Sequence, residues 1–235
     1  MASIEAAREE LVVANHILGN EGILDAFGHV SIRHPDRPGH FLLSRARAPE
    51  LVSDEDLVEF DLSGEPVAET AAALYLERYI HAAAYAARPE VGAVCHSHTP
   101  SILPFSVSTT PLQSVIHSGR FLGTGVPVWD LAREFPGEWS PLVRNLEYGK
   151  SLAGALGPGT VALLRGHGCL VVAADAHEIV SRCVSMDRNA RVQELAARLG
   201  AYTALHPDEC DTRTAPGGRG DDRAWEYFRR RAERG

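Results

Sequence analysis

Two short apolar segments joined by a tight turn restrict the fold of this chain more than any other feature. Residues 160–164 and 169–173 have the length of strands, and the Arg165-Gly-His-Gly168 segment between them is typical of a turn. Residues 176–199 then form a long segment without glycine or proline, and Gly200 follows it, which predicts a helix. A hairpin rather than a regular crossover favours an antiparallel sheet.

The rest of the chain interleaves strands and helices in an irregular order. Residues 4–18 show helical spacing of apolar residues, and residues 69–88 are rich in alanine and leucine and stop at Pro89. The other predicted helices are 144–156 and 223–234, and the other predicted strands are 28–33, 41–44, 57–62 and 91–98, with one or two more within 112–128. This order predicts an α/β fold of three layers, αβα, on a mainly antiparallel central sheet.

Composition bears on domains, partners and location. We expect one catalytic domain over residues 1–210 and, in 211–235, a linker rich in proline, glycine and charge followed by a terminal helix. A net charge of −8 attracts phosphate backbones poorly, so we expect no nucleic-acid partner. The apolar runs are shorter than the roughly 18 residues that span a bilayer, the N-terminal residues lack a secretory signal, and the four cysteines are scattered. We therefore expect a cytoplasmic protein with no membrane partner.

His96-Ser-His98 ends an apolar strand and is the clearest candidate for metal binding. Side chains at positions i and i+2 of a strand share one face, so two imidazoles can bind the same cation. His167 is the expected third ligand, because its glycine neighbours permit a tight turn that aims the side chain inward. Glu77 and His81, four residues apart, share one face of the preceding helix. We expect one divalent ion per subunit, such as zinc, manganese, iron or cobalt, on the three histidines, with Glu77 as fourth ligand or acid/base.

The same residues carry a family resemblance. Glu77-x-x-x-His81, Val94-Cys-His-Ser-His98-Thr-Pro100 and Arg165-Gly-His-Gly168, together with Tyr85 and Arg88-Pro89, resemble motifs of the class II aldolase/adducin family over roughly residues 5–200. The resemblance implies an αβα fold, commonly a homotetramer, with zinc or a similar ion on the three histidines and Glu77 as the acidic catalytic residue. Adducins keep this fold without the metal histidines, so their presence here favours an enzyme.

Two positions differ from the sugar-phosphate aldolases of that family. Those members bind the substrate phosphate with a Gly-Asn turn and a Ser-Ser pair, whereas this chain has Gly28-His29 and Tyr75-Leu76. This neutral pair does not supply the two hydroxyl groups that the serine pair offers to a phosphate dianion, so we expect an unphosphorylated substrate. Phe27-Gly-His-Val-Ser-Ile-Arg33 instead resembles the decarboxylases of hydroxylated aromatic or pyridine dicarboxylates. The expected reaction is the metal-dependent decarboxylation of a small hydroxy-aromatic or heteroaromatic carboxylate.

Further candidate residues follow from that reaction. The candidates for binding the small-molecule carboxylate are polar side chains on or just after two predicted strands: His29, Ser31, Arg33, Ser44 and Arg45, with Arg47 beside them. The candidates for catalysis are Glu77, His117 and Tyr227, the last in a terminal helix that we expect to close over a neighbouring subunit's site.

The same metal ligands suit two other reactions. One is aldol cleavage of an unphosphorylated hydroxy-carbonyl compound. The other is Fe(II)-dependent oxygen chemistry, because imidazole accepts Fe(II) as readily as Zn(II) or Mn(II). A non-catalytic interaction module of the adducin type would instead bind no metal.

Overall fold

A seven-stranded sheet, in the order β3-β2-β1-β4-β7-β6-β5, lies at the centre of the computed structural model, which describes residues 3–210 and 219–234. The strands are β1 (His29–Arg33), β2 (His40–Ser44), β3 (Leu57–Asp61), β4 (Ala93–Ser97), β5 (Val128–Trp129), β6 (Val161–Leu164) and β7 (Gly168–Ala173). Neighbouring strands are antiparallel except β5 and β6, which are parallel. The predicted hairpin is β6 and β7, and the mainly antiparallel sheet is confirmed.

Helices cover both faces of the sheet. The α-helices are α1 (Ile4–Asn20), α2 (Arg78–Ala87), α3 (Leu103–Val107), α4 (Leu131–Glu134), α5 (Leu146–Leu156), α6 (Ala176–Leu199) and α7 (Arg219–Ala232). Alternate residues of β4 illustrate the layers, because Cys95 packs in the core beneath α1 and α6 while Val94 packs in the core beneath α2 and α5. Two apolar cores on opposite faces confirm the predicted three-layer αβα architecture.

The long predicted helix over residues 69–88 is wrong in its first half. Only α2, Arg78–Ala87, is helical. The chain before it is held against the loop after β2, since Ala46 donates its backbone N–H to the Ala73 carbonyl at 2.8 Å and the Tyr75 hydroxyl donates to the Arg47 carbonyl. These contacts override the helix propensity of the alanine-rich segment. They leave Tyr75 and Glu77 free to line a cavity.

The strands predicted within residues 112–128 are mostly replaced by a 3-10 helix, His117–Leu122, and only β5 remains. Asn189 of α6 explains the difference. Its side-chain oxygen accepts from Val115 N at 2.9 Å, and its amide nitrogen donates to Gln113 O at 2.8 Å. A helix side chain thus satisfies backbone groups that a neighbouring strand would otherwise pair.

The terminal helix α7 packs back onto the body of the protein. Trp225 and Phe228 are buried in the core that α1 and α6 form. Residues 211–218 of the predicted linker lie outside the described part of the chain, so the division at residue 210 stays a prediction. Within the described ranges, no helix combines the length and the apolar character that a bilayer crossing requires.

Candidate metal centre

Two of the predicted metal ligands come from the end of β4. His96 lies in the strand and is fully buried, and His98 follows one residue after the strand ends. Their Nε2 atoms lie 3.1 Å apart, so both rings are on the same side of the chain, as the i, i+2 spacing predicts.

The third predicted ligand, His167, comes from the turn between β6 and β7. Gly166 has a φ of +65°, in the left-handed region that favours glycine. A Cβ atom on Gly168 would lie 2.3 Å from the carbonyl oxygen of Ser97, so a glycine is needed for the turn to approach the end of β4. This approach places His167 Nε2 3.3 Å from His98 Nε2.

Each of the three rings is oriented by an oxygen atom next to its Nδ1 atom. His96 Nδ1 lies 3.0 Å from the Cys169 carbonyl, His167 Nδ1 lies 3.1 Å from the Pro141 carbonyl, and His98 Nδ1 lies 3.1 Å from both carboxylate oxygens of Asp25. A carbonyl or carboxylate oxygen accepts a hydrogen bond, so Nδ1 carries the proton in each ring. Each Nε2 therefore turns a lone pair toward a shared point, the arrangement of metal-binding histidines.

Glu77 completes the group from the residue that precedes α2. Its Oε2 atom lies 3.5 Å from Nε2 of both His96 and His167, and its Oε1 atom accepts from Val143 N at 2.9 Å. Burial opposes ionisation of this carboxyl, but the adjacent His96 and His167 rings lower its pKa well below the usual range. Glu77 is therefore a carboxylate at neutral pH.

This donor set fits a divalent cation. One ligand atom from each of Glu77, His96, His98 and His167 lies within 4.8 Å of the others. Ligands about 2.0–2.1 Å from a tetrahedral zinc ion are about 3.3–3.4 Å apart, and the spacings of 3.1 to 3.5 Å described above are close to that value. Three neutral imidazoles with one carboxylate are suited to zinc and to other borderline divalent metals.

A second group of polar side chains lies beside the first. His29 Nδ1 is 2.7 Å from His81 Nε2, and the hydroxyl of Ser31 is 2.6 Å from His81 Nδ1 and 2.9 Å from the Tyr85 hydroxyl. Burial, followed by the neighbouring rings His81 and His96, holds the pKa of His29 well below its ordinary value. Burial also lowers the pKa of His81, to about 3. Both rings are therefore neutral at pH 7.

A cavity of about 530 Å³ opens over His98, His167 and Glu77, and His29 reaches it from β1. The rest of its wall is mainly apolar and aromatic, with residues such as Phe27, Leu74, Tyr75, Leu76 and Leu142. Among the described residues that line the cavity, Arg47 is the one that carries a positive charge. The cavity can therefore hold a flat apolar molecule. The histidines and Glu77 would lie at one end of that molecule, and the Arg47 guanidinium would lie at its side.

Two arginines predicted to bind the carboxylate are tied to other groups. Arg33 donates to the carbonyls of Val91, Tyr85 and Arg88, and so braces β1 against the end of α2. The Arg45 guanidinium pairs with Asp56 at 2.6 Å. Neither lines the cavity in the part of the chain that the structure describes.

The remaining candidates are dispersed. Ser31 is fully buried behind His29, and Ser44 is buried outside the described cavity wall. His117 is exposed on its 3-10 helix, and Tyr227 is exposed on α7, where its hydroxyl accepts from Arg231. Within this subunit the structure does not bring these four to the cavity. Asp25, which contacts His98, and Arg47, which lines the cavity, lie beside the site instead. Asp25 is a residue that the sequence patterns did not single out.

Two relatives of known activity are similar to most of the chain. The Decarboxylase tropJ of Talaromyces stipitatus is 36% identical over 201 residues, which cover 80% of this chain and 76% of the relative. The 3,4-dihydroxyphthalate decarboxylase of Arthrobacter keyseri is 27% identical over 217 residues, which cover 86% of this chain and 83% of the relative.

The fold also matches a solved structure. The aldolase II superfamily protein from Pseudomonas syringae superposes with a TM-score of 0.82 at 21% identity, covering 100% of this chain and 94% of that one. A sequence profile described as the class II aldolase and adducin N-terminal domain matches residues 9–194. That match covers well over half of the sequence, and the chain belongs to the class II aldolase/adducin family.

Proposed function

We propose that the protein is a divalent-metal-dependent carbon–carbon lyase that decarboxylates a small, unphosphorylated hydroxy-aromatic or heteroaromatic carboxylate. The observation that carries the proposal is the convergence of three histidine Nε2 atoms and the Glu77 carboxylate at the edge of a mainly apolar cavity. The two decarboxylase relatives support the choice of reaction within the family.

His96, His98 and His167 would hold the cation, with Glu77 as a fourth ligand or beside it. When bound there, a divalent cation supplies Lewis-acid chemistry, because it stabilises negative charge that develops on a substrate oxygen. The Nδ1 partners of the three rings, Cys169 O, Pro141 O and Asp25, fix the ligands before the substrate arrives.

The cavity wall favours an aromatic substrate with an acidic group. Phe27, Tyr75 and Leu76 offer apolar surface to a ring. Arg47 is placed to bind a carboxylate that does not react, through the charge-assisted hydrogen bonds that a guanidinium makes. Tyr75-Leu76 supplies no pair of hydroxyls for a phosphate, which keeps the substrate class unphosphorylated.

Glu77 is the group best placed to move a proton. In the proposed step the bond between the ring carbon and the carboxylate breaks, carbon dioxide leaves, and the electron pair stays with the ring. Glu77 accepts the proton of the substrate hydroxyl on binding and returns it to that ring carbon. The neighbouring rings lower the pKa of Glu77, so its carboxylate is ionised at neutral pH and has a vacant position for the proton of the first transfer.

Turnover of candidate substrates tests the proposal. Metal-loaded protein should release carbon dioxide from 3,4-dihydroxyphthalate or a hydroxypyridine dicarboxylate, and protein treated with a chelator should not. Formation of an aldehyde or pyruvate from a hydroxy-carbonyl compound would favour aldol cleavage, and oxygen consumption would favour iron-dependent oxidation. A metal-loaded protein that leaves both carboxylate classes unchanged would overturn the proposal.

Assembly and location remain part of the proposal. A cytoplasmic location is the expectation from the sequence, and a homotetramer is what the family resemblance implies. Light scattering coupled to size-exclusion chromatography measures the number of chains in the particle. The exposed Tyr227 side chain and the exposed His117 side chain contribute to catalysis only if a neighbouring copy brings them to a cavity.

A further inference from the structure

Four buried polar side chains form a continuous hydrogen-bonded row behind the cavity. The row runs from the Tyr85 hydroxyl to Ser31 Oγ at 2.9 Å, from Ser31 Oγ to His81 Nδ1 at 2.6 Å, and from His81 Nε2 to His29 Nδ1 at 2.7 Å. Each of the four residues is at most 1% exposed. Only His29 lines the described cavity, so the other three meet the substrate through it.

The direction of the hydrogen bonds in this row is fixed at its Tyr85 end. Among the described contacts of the Tyr85 hydroxyl, Ser31 Oγ is the acceptor within reach, so Tyr85 donates to Ser31. Ser31 then donates its own proton to His81 Nδ1. His81, which is neutral, carries its proton on Nε2 and donates it to His29 Nδ1. If Ser31 donated to Tyr85, the buried Tyr85 proton would lack an acceptor among these contacts, and if Ser31 accepted from both neighbours, its own proton would lack one; either arrangement is unfavourable.

His29 is therefore left with its own proton on Nε2, the nitrogen that does not take part in the row. This is the opposite tautomer to that of His96, its cross-strand neighbour, whose Nδ1 atom carries the proton. A neutral imidazole with a protonated Nε2 can donate a hydrogen bond and cannot accept one at that atom.

We propose that Tyr85, Ser31 and His81 are positioning residues that hold His29 as the Nε2–H tautomer, so that His29 presents a fixed donor to an oxygen of the substrate. The inference deepens the proposed function, on which it rests for the use of the cavity. The partner that this donor recognises is an oxygen without a proton, such as a carboxylate or carbonyl oxygen. His29 then selects and orients an acid group, and does not act as the base.

Nitrogen-15 spectra of the zinc-loaded protein test the tautomer directly. Long-range proton–nitrogen correlations distinguish a protonated Nε2 from a protonated Nδ1, and the signals of His29 are assigned by their loss in His29→Gln. The expected result is a protonated Nε2 at His29 and a protonated Nδ1 at each of His96, His98 and His167. A protonated Nδ1 at His29 would overturn the proposal whether or not the protein decarboxylates anything, so the two proposals fail separately.

Two substitutions at His81 test the positioning role. In His81→Gln the side-chain amide can still donate to His29 Nδ1, so the tautomer should persist. In His81→Leu no donor remains, His29 should lose its single tautomer, and the Kd of zinc-loaded protein for 2-hydroxybenzoate should rise about tenfold, the worth of one hydrogen bond to a charged group. Equal tautomer and equal Kd in both variants would contradict the proposal. Ser31→Ala provides a second test if His81→Leu does not fold, since it interrupts the row one step earlier and should also loosen the tautomer of His29.

Discussion

Two groups of histidines meet at the centre of the sheet, and their hydrogen-bond partners separate them. His96 and His29 face each other across β4 and β1, with ring centroids 5.2 Å apart, and both are almost completely buried. His96 joins a group whose Nδ1 atoms bond to protein oxygens and whose Nε2 atoms converge. The Nδ1 atom of His29 is instead hydrogen-bonded to another histidine, His81.

The difference teaches that burial and residue type do not identify a metal histidine. An oxygen acceptor behind Nδ1 fixes the proton there and frees the Nε2 lone pair for a cation. In the His29–His81 pair, the two ring nitrogens share one proton in a hydrogen bond, and no lone pairs converge on a common point. The following experiments test that distinction, beginning with the largest expected effect.

Removal of a converging ring should abolish metal binding. His96→Ala is expected to lose stoichiometric metal and measurable turnover, a larger effect than the 10–100-fold cost of changing a residue behind a ligand. Metal content per chain, measured by plasma emission spectroscopy, checks this. His81→Gln, in the other group, and His206→Gln, at an exposed histidine, should both keep one ion per chain. A full complement of metal in His96→Ala would remove it from the ligand set.

Glu77→Gln should separate metal binding from proton transfer. Glutamine can still accept from Val143 N, so the fold should persist, but it cannot take up a proton as the carboxylate does. We expect kcat to fall by about 10²–10⁴-fold, the usual contribution of a general acid–base group. Steady-state kinetics at saturating metal measures it, with Glu226→Gln on α7 as the control. Undiminished kcat would exclude Glu77 from proton transfer.

Local patterns in the sequence were sufficient to predict that the three histidines His96, His98 and His167 come together. The i, i+2 spacing of His96 and His98 fixes a shared face of a strand, and the glycines around His167 permit the turn that brings it to the same place. Both signals are backbone properties that a few neighbouring residues determine. The three-layer fold was predictable for the same reason, because hydrophobic period and turn residues are local.

Tertiary partners were not predictable in this way. The spacing of Glu77 and His81 gives a common helix face, yet Glu77 turns toward His96 while His81 turns toward His29. Likewise, Arg45 and Arg47 are equivalent in the sequence, and both pair with Asp56, at 2.6 Å and 3.4 Å, yet of the two only Arg47 lines the described cavity. Side-chain direction depends on contacts between distant segments, and no pattern within a single segment contains that information.

Arg47 and Arg45 offer a matched pair for substrate binding. Arg47→Gln should raise KM by about 10–100-fold with a smaller change in kcat, because it removes charge-assisted hydrogen bonds to a substrate carboxylate. Arg45→Gln should change KM much less, since Arg45 lies outside the described cavity wall and is held more closely by Asp56, at 2.6 Å against 3.4 Å for Arg47. Equal KM values for the two variants would show that Arg47 does not bind the substrate.

Asp25 tests the importance of the oxygen behind a metal ligand. In Asp25→Asn the side-chain oxygen can still accept from Phe27 N and Gly28 N, so the turn should be retained. The negative charge that supports His98 Nδ1–H is lost, and metal affinity should weaken about tenfold. Competition with a chromophoric chelator measures the affinity, and Asp36→Asn, on an exposed turn, is the control. Unchanged affinity would mean that the carboxylate contributes nothing to the ligand.

The second histidine group should appear in the pH dependence of stability rather than in metal content. Burial, followed by the nearby His96, lowers the pKa of His81 to about 3, against about 6.5 in the unfolded chain, so between these pH values the unfolded chain binds the extra proton. The stabilisation is therefore complete above pH 6.5 and is lost as the pH falls toward 3. At pH 5.5, one unit below the unfolded value, the loss is at most about 1.4 kcal/mol.

Urea unfolding at pH 7.5 and 5.5 should show a steeper decline in the free energy of unfolding for the native sequence than for His81→Gln, because glutamine does not titrate. Parallel declines would mean that His81 is protonated in the folded protein or remains accessible to water. The description of His29 and His81 as a buried neutral pair would then be wrong.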